Sequence, residues 1–296
     1  MRERALLAAG VLIVALPLLL AGPASAVLED NLGALTGPQT QGYLGPFADG
    51  LSGMMNSGIF RSGNVPVAGF SLTLDARASY ISFSDDQRTY SASTPGYPTV
   101  DAPTVVGDTQ SVTAHSSTTG TDFTYPGGFD MKNFGIAVPQ ATVGSVLGTR
   151  AIVRYIAIDL GSEDIGKLKL FGIGGQHSIS QYLPALPVDV AVGAMWQDFK
   201  IGEDLLDAKA FAANVMGSKK FGKIVSLEPY VGLGVDSFTL DAKYTSGNDK
   251  VEVNFDRKND FHLTLGTNIN LPVVKLNAEF NHAAVTGFAG GVSFGF

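Results

Sequence analysis

The sequence predicts an all-β chain: an antiparallel transmembrane β-barrel of about ten strands, with twelve as the alternative count, after a short N-terminal helical segment. Three observations carry this. Apolar residues recur at every second position through most of the chain after Val67, the repeat of a strand with two unlike faces. The segments between them alternate between short turns and longer polar stretches. Hydrophobic residues make up 45% of the chain, yet after the N-terminal leader no run approaches the ~20 apolar residues a spanning helix needs. A chain embedded in lipid without such helices must close its sheet.

Composition narrows the function classes. The net charge of −7 argues against a nucleic-acid partner. The chain has no Cys, which excludes disulfides and thiolate metal sites. His115, His177 and His282 have no metal-ligand spacing, so no metal and no cofactor is expected.

Met1 to Ala26 reads as a signal peptide. Arg2 and Arg4 supply the basic start, Ala5 to Leu20 the apolar core, and Ala24-Ser25-Ala26 the small-residue cleavage site. Export followed by barrel insertion implies the outer membrane of a double-membraned bacterium, with cleavage near Ala26.

Residues 27–60 follow a different period. Leu44, Phe47, Leu51 and Met54 recur every three or four residues, the spacing of one helix face. Pro46 reads as a first-turn proline of a Tyr43 to Asn56 helix. Asn56-Ser57-Gly58 reads as its stop. Leu28, Leu32 and Leu35 suggest a shorter helix ended by Gly37-Pro38. The segment is either a plug in or under the barrel or a periplasmic helix on its lower rim.

Residues 61–296 form the barrel. In Val67 to Phe83, Phe70, Leu72, Leu74, Ala76, Ala78 and Tyr80 share one face, and Asp75 and Arg77 lie on the other. Residues 84–130 lose the pattern and are rich in Ser, Thr, Gly, Pro and Asp, as expected of a long external loop. Phe134 to Leu147 alternates poorly. Thr149 to Ile158 sets Arg150 and Arg154 against Ala151, Val153 and Tyr155. Lys167 to Ser178 sets Lys167, Lys169 and His177 against Leu168 and Leu170. Val188 to Phe199 carries valines opposite Asp189, Gly193 and Gln197. Asp207 to Gly217 is rich in Ala. Val225 to Leu240 sets Leu227, Val231 and Leu233 against Glu228 and Asp236. Phe255 to Leu271 sets Phe261, Leu263 and Leu265 against His262 and Thr264. Val273 to His282 sets Leu276, Ala278 and Phe280 against Lys275 and Glu279, and Gly287 to Phe296 closes the series. An even count would leave both termini in the periplasm, with Asp241 to Asn254 among the external loops. Trp196, Phe199, Tyr244, Phe261 and Phe296 are candidates for the aromatic girdles.

Asp75, Arg77, Arg150, Arg154, Glu228, Asp236, Lys275 and Glu279 are the candidate lumen-lining charges. This parity makes the lumen polar, so the stripe on the helix must find another partner, at the rim or on Gly-rich wall. Inward Gly193, Gly232, Gly234 and Gly291 leave room for something inside.

The last strand resembles the closing strand of bacterial outer-membrane barrels, with Phe288, Val292, Phe294 and Phe296 on one parity. That resemblance implies an assembly signal read by the barrel-assembly machinery. Gly42-Tyr43-Leu44-Gly45-Pro46, Leu51 to Phe60, and His177 to Pro184 leading into Pro187-Val188-Asp189 extend it. With the Gly-Phe ending, they make the mature chain resemble an uncharacterised family of bacterial outer-membrane barrels. The long-chain fatty-acid channel type, with its N-terminal hatch, is a weaker resemblance. This chain is too short for that type's fourteen strands and has no Asn-Pro-Ala triplet at the hatch.

No catalytic set is expected. Ten-stranded outer-membrane proteases place acids and a His at the outer rim, where this chain offers Asp85, Asp86 and His262, but solvated rim charges explain these residues as well. The Gly172-Ile173-Gly174-Gly175 run is strand glycine rather than a phosphate loop. Two classes remain: a gated or plugged channel for small solutes or hydrophobic molecules, and a non-transporting structural or adhesive barrel. Its partners would be outer-membrane lipid, the assembly machinery and, for a channel, a solute the residues do not name.

Overall fold

The computed structural model describes residues 23–159, 167–202, 205–246 and 248–295. The leader up to Gly22, Phe296, the core of Asp159 to Gly166 and part of Ile201 to Leu206 lie outside the described residues.

Ten antiparallel strands make the wall: β1 (Ala68–Ser82), β2 (Asn133–Val146), β3 (Thr149–Asp159), β4 (Lys167–Ser178), β5 (Asp189–Ile201), β6 (Leu206–Ser218), β7 (Ser226–Ser246), β8 (Asp249–Asn270), β9 (Val274–His282) and β10 (Thr286–Gly295). Each pairs with its sequence neighbours, and β10 pairs with β1 in the register Tyr80↔Phe288 and Arg77↔Gly291, so the sheet is closed. The count is ten, not twelve. Four connections of ten residues or fewer lie at one end, around Gly148, residues 179–188, residues 219–225 and Leu271 to Val273. The opposite end carries the 50-residue connection 83–132 and is called the loop end.

The outward face is apolar. Phe70, Leu74, Val153, Ile173, Leu233 and Phe288 are among the exposed side chains that alternate with buried ones. Trp196 and Phe261 point outward, but Phe199 and Tyr244 are buried inside. They are not girdle residues, because Phe199 shares the inward parity of Gln197, and the Tyr244 hydroxyl meets Thr40 Oγ1 at 2.6 Å.

Two of the sequence-derived loops differ in the structure. Of Asp241 to Asn254, residues 241–246 and 249–254 are strand, because β7 and β8 run 21 and 22 residues and project at the loop end, while Gly247 lies outside the described residues. The period-two core of Ala242, Tyr244, Val253 and Phe255 is buried. The 83–132 connection holds two small hairpins, Thr89–Ala92 with Val100–Pro103 and Val112–His115 with Asp122–Tyr125. It folds back as a lid.

Helix α1 (Pro23–Gly33) and helix α2 (Gly37–Met55) lie under that lid. Thr36 caps α2, its amide donating to Gln39 Oε1 at 2.8 Å. Pro38, not Pro46, occupies the first turn; Pro46 sits inside a helix that starts six residues earlier than its apolar stripe implies. The lid grips the helices: the Val105 amide donates to the Tyr43 carbonyl, and the Tyr43 hydroxyl donates to the Gly127 carbonyl at 2.9 Å. Burial pushes the Tyr43 phenol up to about 12, so it keeps its proton for that bond. The helices therefore sit at the loop end rather than on the lower rim, and the start of the described chain lies at the end opposite to β1's first residue. An even strand count does not place the two together.

The upper lumen is apolar, which corrects the expectation of a uniformly polar interior. Ile81, Ile136, Val138, Leu168, Leu170 and Phe238 point inward and form one cluster with Leu44, Phe47, Leu51 and Met54 of α2. Phe47 and Phe134 pack with ring centroids 5.3 Å apart. The poor alternation of β2 has the same cause: its inward side chains are apolar above and polar below. A Cβ on Gly50 would overlap Ile81 and Phe83, so α2 is seated with no slack there. Gly50→Leu is expected to cost ~1–3 kcal/mol through overpacking. Gly37→Ala, with no neighbour within 4 Å, should leave stability near wild type. Urea unfolding of the refolded protein in detergent measures both, and equal losses would place α2 away from the wall.

Candidate functional site

Below α2 the chain runs extended through the lumen from Asn56 to Val67 before it becomes β1. Irregular backbone at this depth is tolerable only where protein or water satisfies its amides and carbonyls. Here the barrel wall does so with side chains. Gln197 Nε2 donates to the Met55 carbonyl at 2.5 Å. Arg154 Nη1 reaches the Ser57 carbonyl at 3.4 Å, and Gln140 Nε2 the Ile59 carbonyl at 3.4 Å. Asn268 Nδ2 donates to the Arg61 carbonyl at 2.6 Å. Gln176 Nε2 and Arg150 Nη2 donate to the Ser62 carbonyl at 3.0 and 3.3 Å.

Gly58 is held on both sides. Its amide donates to Glu279 Oε1 at 2.8 Å, while its carbonyl accepts from Arg77 Nε at 3.0 Å and from Arg154 Nη2. Its φ of +67° is left-handed, and a Cβ there would stand 3.1 Å from that of Ala289, so glycine fits for both reasons. Glu279 is itself held by the Tyr230 hydroxyl at 2.8 Å and Asn281 Nδ2 at 2.7 Å. Arg77 Nη2 lies 4.0 Å from the Glu279 carboxylate. Just below, Ile59 and Phe60 pack on Ile152, Met195, Met216 and Tyr230. Gly193 makes the space, since a Cβ there would come within 2.7 Å of the Phe60 ring.

Farther down, Arg61 pairs with Asp75 and also donates to Ser293 Oγ. Ser62 Oγ and Ser218 Oγ donate to Glu228 Oε1 at 2.5 and 2.9 Å. The segment ends beside a cavity of about 550 Å³ at the turn end, lined by Arg61, Arg150, Glu228, Asn268, Lys275 and others.

The eight charges read from parity all face the lumen. Arg77, Arg154 and Glu279 converge on Gly58, Asp75 takes Arg61, and Glu228 takes Ser62. Arg150 and Lys275 line the cavity. Asp236 reaches the clamp through His262, whose Nδ1 is 2.6 Å from Asp236 Oδ2 and whose Nε2 is 3.1 Å from the Oδ1 of Asn281, the residue that donates to Glu279. His262 is thus a lumen residue, away from the rim, while Asp85 and Asp86 lie in an exposed turn of the lid. Of the closing-strand residues, Phe288 and Phe294 point outward and Val292 is half-buried. Sequence reasoning placed Gln197 and Asn268 on the polar parity without giving them a role, and it missed Gln140, Gln176 and the pivot Gly58. The amides share the inward parity of the charges, so extending that parity to uncharged polar residues would have found them.

The model of the Family of unknown function (DUF6588) matches residues 14–296. No curated protein sequence matches the chain. Among solved structures, Ail, the attachment invasion locus protein of Yersinia pestis, aligns in its complex with the heparin analogue sucrose octasulfate. It has 10% identity and a TM-score of 0.28, covering 77% of this chain and 99% of that one. A loop-deletion mutant of OmpT, an outer membrane protein of Vibrio cholerae, aligns at 11% identity and a TM-score of 0.28, covering 77% and 98%. A mutant Rh. blastica porin aligns at 12% and 0.19, covering 77% and 99%. At such scores the likenesses carry no weight; the barrel rests on the strand pairing above.

Arg154 makes the sharpest test of the clamp. Arg154→Met would leave the Gly58 carbonyl with one donor fewer and the Ser57 carbonyl with none from the wall, a loss expected at ~2–4 kcal/mol from buried groups left unsatisfied. Lys169→Met, exposed on the outer face near the loop end, should change stability by less than ~0.5 kcal/mol. Urea unfolding in detergent compares the two, and a neutral Arg154→Met would mean that water replaces the guanidinium.

Proposed function

The chain belongs to this family of unknown function, and from that premise we propose that it is an outer-membrane barrel sealed by its own N-terminal segment, serving a structural or surface-presenting role rather than open conduction. The observation that carries the reading is the seat of α2. Leu44, Phe47, Leu51 and Met54 are all buried against the upper wall. At ~1.5–3 kcal/mol for each large apolar side chain, exposing this stripe would cost on the order of 6–12 kcal/mol. That is comparable to the whole stability of many domains, so a plug that leaves as a body is a poor gate.

The wall supports this location. The outward apolar face suits lipid, and short turns on the periplasmic side with long loops outside is the usual orientation of such barrels. Export by the N-terminal signal and recognition of the last strand by assembly machinery complete the picture. The reading is non-enzymatic: His262 is held between Asp236 and Asn281, and the acids of the lid do not reach it. A gated channel is the second reading. It draws on the lower lumen, where the threaded segment is held by hydrogen bonds that water could replace and where the cavity already opens.

The two readings differ in planar bilayers. The refolded protein is expected to show no porin-scale conductance. Because the chain lacks Cys, Gly53→Cys with Val285→Cys would put the only two thiols across the α2–wall contact, where a Cβ on Gly53 stands 3.4 Å from that of Val285. Oxidising this pair should change nothing. Conductance that disappears on oxidation and returns on reduction would establish the gate.

Orientation has its own test. With α1 and α2 at the loop end, an epitope tag placed directly after Ala26 is expected to bind antibody on intact cells. Labelling that requires permeabilised cells would put the helices on the periplasmic side.

A further inference from the structure

The turn-end cavity has the wrong charge for its chain. The protein as a whole carries 20 Lys and Arg against 27 Asp and Glu. The cavity is lined by Arg61, Arg150, Lys220, Lys223 and Lys275, with Glu228 its only carboxylate among the described residues. That carboxylate accepts from the Ser62 and Ser218 hydroxyls and from Asn270 Nδ2, and its single charge is outnumbered by the cations around it. Arg61 is neutralised by Asp75, and Arg150 is bound to Gln176. Lys275, half-buried on β9, makes no hydrogen bond or ion pair among the described residues, and Lys220 and Lys223 stand exposed in the turn between β6 and β7. Three ammonium groups thus border one blind basin, which stops at the Ile59–Phe60 cluster above.

Like charges gathered at one site repel, and a bound anion relieves that repulsion. The rest of the lining indicates what the anion is attached to. Thr73, Thr142, Ser226, Asn268 and Asn270 place hydroxyls and amides around the wall, groups that suit a hydroxylated frame. The lining residues include no aromatic ring on which a base could stack. The volume of about 550 Å³ lies within the ~300–1,000 Å³ typical of small-molecule sites.

We propose that this basin binds a phosphate group carried on a small hydroxylated frame, with Lys275 as its principal contact and Lys220 and Lys223 at the mouth. The inference goes beyond the sealed-barrel reading, because a blind basin can hold a ligand whether or not the barrel conducts. Two sources offer this chemistry: a soluble sugar phosphate and the headgroup of an anionic phospholipid whose chains stay in the bilayer.

The test is titration calorimetry of the full refolded protein in neutral detergent at low salt, with glucose 6-phosphate as probe and glucose as the uncharged control. A parallel arm uses nanodiscs of phosphatidylcholine with or without phosphatidylglycerol. Saturable binding of one glucose 6-phosphate per barrel, with none of glucose, is expected. Lys275→Gln should weaken it at least tenfold and Lys275→Arg should restore most of it, while Lys169→Gln, outside the basin, should leave it unchanged. Migration on unheated gels verifies that each variant is folded. If glucose 6-phosphate is silent in detergent but phosphatidylglycerol protects Lys275 from amine labelling, the phosphate site stands and its source is the lipid. The proposal is overturned if neither arm responds, or if Lys169→Gln weakens binding as much as Lys275→Gln does.

Discussion

A peptide segment that crosses a membrane-embedded barrel without helix or strand pairing must still have its amides and carbonyls met. That constraint organises this molecule. Between Asn56 and Asn64 the backbone obtains its partners from Gln, Asn, Arg, Ser and Glu side chains on the surrounding strands, and the tightest point is Gly58. Its amide and carbonyl are gripped from opposite sides by Glu279 and by Arg77 with Arg154. At Gly58 the charges pair for the same reason, because the cations that serve its carbonyl stand beside the carboxylate that serves its amide. The polar lumen is therefore the complement of the strand of backbone inside it, as a binding groove is of its peptide.

Above that level the chemistry reverses. The inward positions of the wall become Ile, Leu, Val and Phe, and they meet an amphipathic helix instead of an extended chain. A helix satisfies its own backbone, so its surroundings can be dry. The transition can be followed along single strands: β5 turns inward Gln197 and then Phe199, and β1 turns inward Ser79 and then Ile81. Half the barrel is a protein core and half a hydrogen-bonded sleeve, and the boundary falls where α2 ends.

This division also explains what could be read from the sequence. The barrel, its ten strands and the ends at which the connections fall were legible, because lipid imposes one apolar parity on the outer face throughout. The inward charges were legible for the same reason, being what the lipid parity leaves over. The apolar upper lumen was not, because inward Leu168 and Leu170 follow outward Lys167 and Lys169 and invert the rule that polar means inside. Their lysines stand near the loop end, where the outer face need not be greasy. The strand ends within Asp241 to Asn254 were obscured by their charges, although Tyr244, Val253 and Phe255 keep period two there. The site of the helices was unreadable in principle: an apolar stripe specifies that something covers it, and only tertiary structure supplies the lid and the wall.

The path of the chain has a mechanical consequence. The described residues begin at one mouth of the ring, pass through its bore and join the ring at the other mouth, so the molecule is a lasso whose loop is a closed sheet and whose tail is already threaded. Such an arrangement cannot form by pushing a folded tail into a finished ring past Phe60 and the Gly58 grip. In the finished molecule the seam between β1 and β10 encircles the tail, and the tail lines the closed sheet from within. Once closed, tension applied from the loop-end mouth would be borne first by the lid and α2 and only then by the sheet, whereas tension from the opposite mouth would load the β1 edge of the seam directly.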